Sequence, residues 1–110
     1  LEPFHGVMGV ALAEPGVHVT MPPRRVGGNL DVKQLTVGTT LWLPIEVDQA
    51  LFSVGDAHAA QGDGEVCITA IETGLIGTFE LHVRPDMSLE WPLAETPTSP
   101  AACHVVPQDN

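Results

Sequence analysis

Two stretches of this chain alternate apolar and polar residues with a period of two, and no stretch repeats apolar residues at helical spacing. In residues 40–48, "TLWLPIEVD", and residues 78–84, "TFELHVR", every second residue is apolar, so in a strand these apolar side chains share one face. This period is typical of a β-strand with one buried face. The chain also carries 11 glycines and 10 prolines in 110 residues, which suits short strands joined by turns. We therefore predict an all-β fold, an antiparallel sandwich or barrel-like module with long loops and little helix.

Further strands are expected around these two. Residues 65–73, "EVCITAIET", are apolar on both faces and therefore predict a central strand. The following "GLIG" predicts a hairpin that leads into residues 78–84. Pro44 cannot donate to a strand ladder, so the strand at residues 40–48 is expected at an edge or interrupted there. Shorter strands are predicted at residues 6–12, 17–21 and 50–54.

Three segments rich in glycine, proline, serine or threonine predict loops, at residues 21–29, 53–64 and 91–102. We predict one β domain over residues 1–90 and a Pro/Ser/Thr-rich extension or linker over residues 91–110. The chain starts without a methionine and stops without a terminating signal. We therefore expect an excised, internal piece of a longer protein.

The chain is strongly acidic, with 4 basic and 14 acidic residues and a formal net charge of -10. Such a balance excludes nucleic-acid binding, because few cations are present to neutralise phosphates, and an anionic membrane surface would repel the chain. The charge serves solubility, or some carboxylates bind a cation. No apolar run reaches membrane-spanning length and no signal peptide is visible, so a cytoplasmic location is predicted.

The two cysteines, Cys67 and Cys103, do not form a CxxC pair, which excludes a zinc ribbon. Cys67 lies in an apolar run and is predicted to be a buried small hydrophobe. No nucleophile signature accompanies Ser53 or Cys67. If the protein is an enzyme, activated water is therefore the expected nucleophile.

Residues 55–65, "GDAHAAQGDGE", concentrate polar, metal-capable side chains between glycines. These side chains are Asp56, His58, Gln61, Asp63 and Glu65. Histidine with carboxylates suits Zn²⁺, whereas carboxylates with carbonyl groups suit Ca²⁺. The acid spacing does not match an EF-hand loop. Asp and Gly are also the ordinary residues of turns, so the residues alone leave a site and a plain turn both open.

Two shorter motifs also carry polar groups. "GGNLD" contains Asn29 and Asp31, and an asparagine amide can either orient a substrate carboxamide or adopt the left-handed conformation of a turn. Arg24 and Arg25 follow two prolines. They either bind an anion or pair with acidic neighbours.

Three blocks of sequence resemble the acetamidase/formamidase family in the family's own order. They are "PFHGVMGVAL", "PPRRVGGNLD" and "LWLPIEVDQALFSVGDAHAAQGDGEVCITAIE", which together run from Pro3 to Glu72. The resemblance implies a mainly β hydrolase that converts formamide, acetamide or a similar small amide to its acid and ammonia. It also implies a divalent metal, Zn²⁺ or alternatively Ca²⁺. Family members are much longer than this chain, and Ile68 stands where the family usually has glycine.

The resemblance implies a set of site residues, to which we assign roles as a hypothesis. The metal ligands are Asp31, Asp56 and His58; the catalytic residues are Glu65, His58 and Asp63; the substrate-binding residues are Asn29 and Gln61. Glu65 would take a proton from water and return it to the leaving nitrogen. The alternative is a non-catalytic β module that binds a metal or assembles with copies of itself as a homo-oligomer.

Overall fold

Every strand in the described part of the chain pairs antiparallel with its neighbours, and the strands form two sheets. The computed structural model describes the backbone of residues 1–104 and the side chains of residues 1–98. The first sheet has the order β2-β1-β4-β5. Its strands are β1 (Phe4–Gly9), β2 (Gly27–Asn29), β4 (Ser53–Gln61) and β5 (Ala70–Glu72). The predicted all-β class is therefore confirmed, with no closed barrel among the described residues.

The second sheet has the order β3-β6-β7, with β3 (Thr40–Trp42), β6 (Leu93–Thr96) and β7 (Ser99–His104). Strand β3 is an edge strand and ends before Pro44, as the missing donor of proline requires. The hairpin of β6 and β7 lies within the segment predicted as an extension. The predicted domain boundary near residue 90 stays a prediction, and residues 105–110 and the Cys103 side chain lie outside the described part.

A small hydrophobic core joins the two sheets. Met8 of β1 and Ala94 of β6 are buried together with Leu30 and Leu35 of the connection between β2 and β3. Partly buried Val32, Leu41 and Phe52 pack against this group. Burial of Leu30 and Leu35 holds the connection between β2 and β3 against both sheets, and so fixes the position of the residues after β2.

The predicted strand at residues 78–84 is wrong: those residues adopt no strand in the structure. Leu81 and Val83, expected to face inward, are 68% and 77% exposed. No neighbouring strand pairs with this segment among the described residues, so alternation alone does not create a ladder. Phe79 contacts His5 and Phe52 instead. The predicted hairpin at "GLIG" and the short strand at residues 17–21 are likewise not formed.

The predicted loop at residues 53–64 is also wrong, because most of it is β4. This nine-residue strand lies between β1 and β5, so both of its edges are paired. The predicted central strand at residues 65–73 is reduced to β5, and a series of turns at Asp63–Ile68 precedes it. Glycine-rich, polar sequence formed the strand here because two neighbouring strands satisfy its backbone groups.

Two smaller expectations concern exposure. Cys67 is an exposed free thiol, not a buried residue, because it lies in the turns before β5. Pro44, expected on the outer face, is buried, whereas Ile45 is 53% exposed, because the period of two ends with β3. Among residues 1–104, no helix has the length and apolar character that crossing a bilayer requires.

The close contact between β1 and β2 predicts an effect of replacing Gly9. An added Cβ at Gly9 would lie 2.6 Å from the backbone nitrogen of Gly28, whereas one at Gly55 would meet nothing within 4 Å. We expect Gly9→Ala to lower the free energy of unfolding by about 1 to 3 kcal/mol through overpacking. Gly55→Ala on neighbouring β4 is the matched control and should be neutral or slightly stabilising. Urea denaturation measures both, and equal stability of the two variants would contradict the packing of β2 on β1.

Candidate active site

His58 lies at the centre of the first sheet and is its only fully buried charged or polar side chain among the described residues, at 0% exposure. In the strand register it has Phe4 of β1 on one side and Glu72 of β5 on the other. The Phe4 ring meets the imidazole edge to face, with centroids 5.2 Å apart. The position of His58 is thus fixed by a central strand and an aromatic neighbour.

Gln61 determines which ring nitrogen of His58 carries a proton. Its side-chain nitrogen Nε2 donates to the backbone carbonyl of Asp31 at 2.6 Å, and its Oε1 lies 2.8 Å from His58 Nδ1. A carbonyl only accepts, so the Gln61 amide has one orientation, and Oε1 must accept from Nδ1–H. In a neutral ring the lone pair then resides on Nε2.

Carboxylates converge on that Nε2 atom. Asp56 Oδ1 lies 3.2 Å and Glu65 Oε1 4.0 Å from it. Two sets of ligand atoms lie within 4.8 Å of one another, Asp31–His58–Glu65 and Asp56–His58–Glu72. We call these five residues the His58 cluster. Nε2 of His58 and Oδ1 of Asp31 are buried without a hydrogen-bond partner among the described residues, so the donor set has capacity for a cation.

The backbone around the cluster is unusual. Asp31, Asp56 and Glu65 have φ values of 48°, 52° and 46°, in the left-handed region that residues other than glycine rarely occupy. Gly6 of β1 lies beneath them, where an added Cβ would contact Asp31 Oδ1 and would lie 2.8 Å from Asp56 Oδ2. Outliers of this kind gather at functional sites and persist only where the surroundings hold them.

Crowding of acids changes the pKa values in the cluster. Burial raises the pKa of Asp31 to about 7, and the neighbouring Glu65 and Asp56 carboxylates add to the effect. Burial opposes charge on His58, but the hydrogen bond to Gln61 and the nearby Asp56 outweigh it, so the pKa of His58 lies above its ordinary value. Both shifts express the same condition: the cluster favours additional positive charge, whether from protons or from a cation.

The structure brings together five of the seven sequence-predicted site residues. Asp31, Asp56, His58, Gln61 and Glu65 meet in or beside the cluster. Asp63 does not: its side chain is 82% exposed and pairs with Lys33 at 3.0 Å. Asn29 pairs with Val7 in the register and lines a cavity on the other face of the sheet, where its amide donates to the Met21 carbonyl. Ile68 is 88% exposed, so it does not narrow the cluster.

Three residues near the cluster were not found from sequence. Glu72 completes the second ligand set, Gly6 leaves room for the acids, and Lys33 links the loop of Asp31 to the turn of Glu65 through Asp63. Glu72 lies directly opposite His58 in the pairing of β4 with β5. Predicting β4 as a strand would have placed His58 in the sheet, but the neighbour Glu72 follows only from the register with β5, and Gly6 and Lys33 gave no sequence signal.

Comparison with known proteins identifies relatives of this chain in sequence and in fold. The sequence profile of the Acetamidase/Formamidase family matches residues 6–102. An acetamidase of Mycolicibacterium smegmatis is 45% identical over 74 residues, covering 66% of this chain and 18% of its own length. A formamidase of Methylophilus methylotrophus is 49% identical over 47 residues, covering 43% of this chain and 12% of its own. The crystal structure of acetamidase from Yersinia enterocolitica superposes with a TM-score of 0.81 at 33% identity, covering 87% of this chain and 29% of that one. The chain thus spans less than a third of each relative.

The hydrogen bond between Gln61 and His58 predicts a change in the titration of the ring. Replacing Gln61 with alanine removes the acceptor of Nδ1–H, so the pKa of His58 should fall relative to the unchanged protein. An NMR titration of the His58 ring protons measures this shift. The matched control is Gln34→Ala, because Gln34 is exposed and only its backbone carbonyl accepts a hydrogen bond. An unchanged or raised pKa in the Gln61 variant would contradict the bond.

The raised pKa of Asp31 predicts a pH dependence of stability in the metal-free protein. Because its pKa is about 7 when folded and 3.8 ordinarily, the folded state binds the extra proton between these values. Stability contributed by Asp31 is therefore full below about pH 4 and lost as pH rises to about 7. The unfolding free energy of the protein minus that of Asp31→Asn should fall across this window.

Asp86→Asn is the control for that measurement. A hydrogen bond from Arg84 holds the pKa of Asp86 at about 2, so its difference curve should be flat between about pH 4 and 7. Urea titrations at several pH values give both curves. A flat curve for Asp31→Asn would show that Asp31 is not confined among acids.

Proposed function

The chain belongs to the acetamidase/formamidase family, and from this membership we propose that the protein hydrolyses short aliphatic amides to the carboxylic acid and ammonia. The observation that carries the proposal is the His58 cluster, in which Asp31, His58 and Glu65 come within 4.8 Å of one another. Partly buried Asp31 and Glu65 beside the buried His58 imidazole, with Gly6 next to Asp31, form a small polar site that suits a small polar substrate.

A divalent metal fits this set of residues. In the neutral ring, the bond between Nδ1–H and Gln61 places the lone pair on His58 Nε2, which would bind the ion together with Asp31 and Asp56. The imidazole favours Zn²⁺, while the number of carboxylates also accommodates Ca²⁺. When bound, such an ion polarises a carbonyl group and lowers the pKa of a bound water.

Glu65 is the proposed general base. Its Oε1 lies 4.0 Å from His58 Nε2, which places it in the cluster. Its side chain is 14% exposed and therefore keeps limited access to solvent. It would take the proton from the attacking water and deliver it to the amide nitrogen, because ammonia leaves poorly unless the nitrogen is protonated. Both polar ends of Gln61 are already bonded, so we assign it to holding His58 and Asp31 in place instead of binding substrate.

Replacing Glu65 with glutamine tests this assignment. The variant keeps the shape of the side chain but cannot take a proton, so kcat for formamide or acetamide should fall at least about 100-fold. Ammonia release measures turnover. Glu95→Gln, an exposed change on β6, should leave turnover unchanged.

Metal content separates the possible causes of lost activity. Elemental analysis should find the same metal content in Glu65→Gln as in the unchanged protein if Glu65 acts as a base. Loss of the metal together with activity would make Glu65 a ligand instead. Unchanged turnover in the variant would remove Glu65 from the mechanism.

A second candidate function, a non-catalytic module that associates with its own copies, is favoured by exposed apolar side chains. Ile68, Ile76 and Val83 are 88%, 103% and 77% exposed. Exposed apolar surface of this kind promotes association. No ammonia release, together with a mass in sedimentation equilibrium that rises with protein concentration, would favour this candidate. A cytoplasmic location stays a prediction.

A further inference from the structure

A cavity lies on the face of the first sheet opposite to the His58 cluster. Along β1, Phe4 and Gly6 face the cluster, so the alternation of a strand turns Val7 and Gly9 to the other side. Val7 and Gly9, with Ser53 of β4, line a cavity of about 190 Å³. Its remaining wall comes from β2 and from the segment before it, which includes Leu12, Val19 and Arg24.

Arg24 is the unusual group in this wall. The other three basic side chains each pair with a carboxylate: Arg25 with Glu46 at 3.0 Å, Lys33 with Asp63 at 3.0 Å and Arg84 with Asp86 at 2.7 Å. Arg24 has no such partner among the described residues, although the chain carries 14 acidic residues. Its Nε is buried and lacks a hydrogen-bond acceptor there. A charged donor in that state is costly, which makes an acceptor from outside favourable.

Two other polar groups of the cavity, His18 and Asn29, are already hydrogen-bonded. His18 Nε2 is hydrogen-bonded to the Glu14 carbonyl, and the Asn29 amide nitrogen donates to the Met21 carbonyl. The rest of the lining combines the apolar side chains of Val7, Leu12, Val19 and Pro22 with the uncharged hydroxyls of Thr20 and Ser53. A ligand that matches this wall therefore has one anionic, planar head for the guanidinium and a short apolar tail.

We propose that this cavity binds a small aliphatic carboxylate. The carboxylate accepts hydrogen bonds from the Arg24 guanidinium, and the alkyl group packs against Val7, Leu12 and Val19. The volume has room for several water-sized groups, so acids of two to four carbons match its size. The inference is independent of the proposed amide hydrolysis, because it rests on the opposite face of the sheet.

Propionate binding to the protein and to two arginine variants tests the proposal. At pH 7 and constant ionic strength, calorimetric or NMR titration should show saturable binding of propionate. Arg24→Gln should weaken it at least about tenfold, since a hydrogen bond to a charged group is lost. Arg25→Gln is the matched control, because Arg25 lies next in sequence but is paired with Glu46, and it should change affinity less than about twofold.

The chemistry of the ligand is tested with two comparison compounds. Butanone has nearly the shape of propionate without its charge, and sodium chloride supplies an anion without a tail. Both should bind more weakly than propionate. Equal binding of butanone would show an apolar cavity that does not use Arg24. Equal competition by chloride against propionate would show that Arg24 attracts any anion without recognising the alkyl group. Either result overturns the proposal.

The location of the bound acid keeps the proposal testable even if Arg24→Gln does not fold. In the unchanged, metal-free protein, propionate should shift the NMR signals of Val7, Leu12 and Val19. Shifts confined to Phe4 and His58 would place the acid at the His58 cluster and overturn the proposal. Equal affinity of a folded Arg24→Gln variant would overturn it as well.

Discussion

The rest of the site depends on two hydrogen bonds made by the side chain of Gln61. One end fixes the backbone of Asp31 and the other fixes the proton on His58 Nδ1. A single amide therefore connects the loop after β2 to the central strand and turns Nε2 of His58 toward the acids. Without it, Asp31 and His58 would be joined only by charge, which is less directional than a hydrogen bond.

The acids around His58 show why the site depends on its scaffold. Like charges at such distances repel, and the left-handed backbone at Asp31, Asp56 and Glu65 adds local strain. The surrounding structure has to compensate for both. The register of β1 with β4 does so by placing Gly6 beneath the acids, and the Lys33–Asp63 ion pair links the two loops that carry Asp31 and Glu65. Cation binding would relieve the repulsion directly.

One antiparallel sheet presents different chemistry on its two faces. The face of Phe4 and Gly6 carries the acid-rich cluster, while the face of Val7 and Gly9 borders the cavity of Arg24. Successive side chains of a strand point to opposite faces, so only the backbone layer of the sheet lies between the cluster and the cavity. Opposite charge on the two faces allows an acidic site and an anion-attracting cavity to exist in one small, strongly acidic chain.

The sequence by itself determined the all-β class, the end of pairing around Pro44 and the polar groups from which the site is made, because these follow from residue type and local period. It did not determine which segments pair. "TFELHVR" alternates well but has no neighbouring strand, whereas the glycine-rich stretch around His58 became a central strand because β1 and β5 satisfy its backbone. Only the tertiary structure could therefore bring Glu72 beside His58 and turn Asn29 to the other face, since both depend on strand register between distant segments. It also left Asp63 in solvent, in the turns after β4 and paired with Lys33.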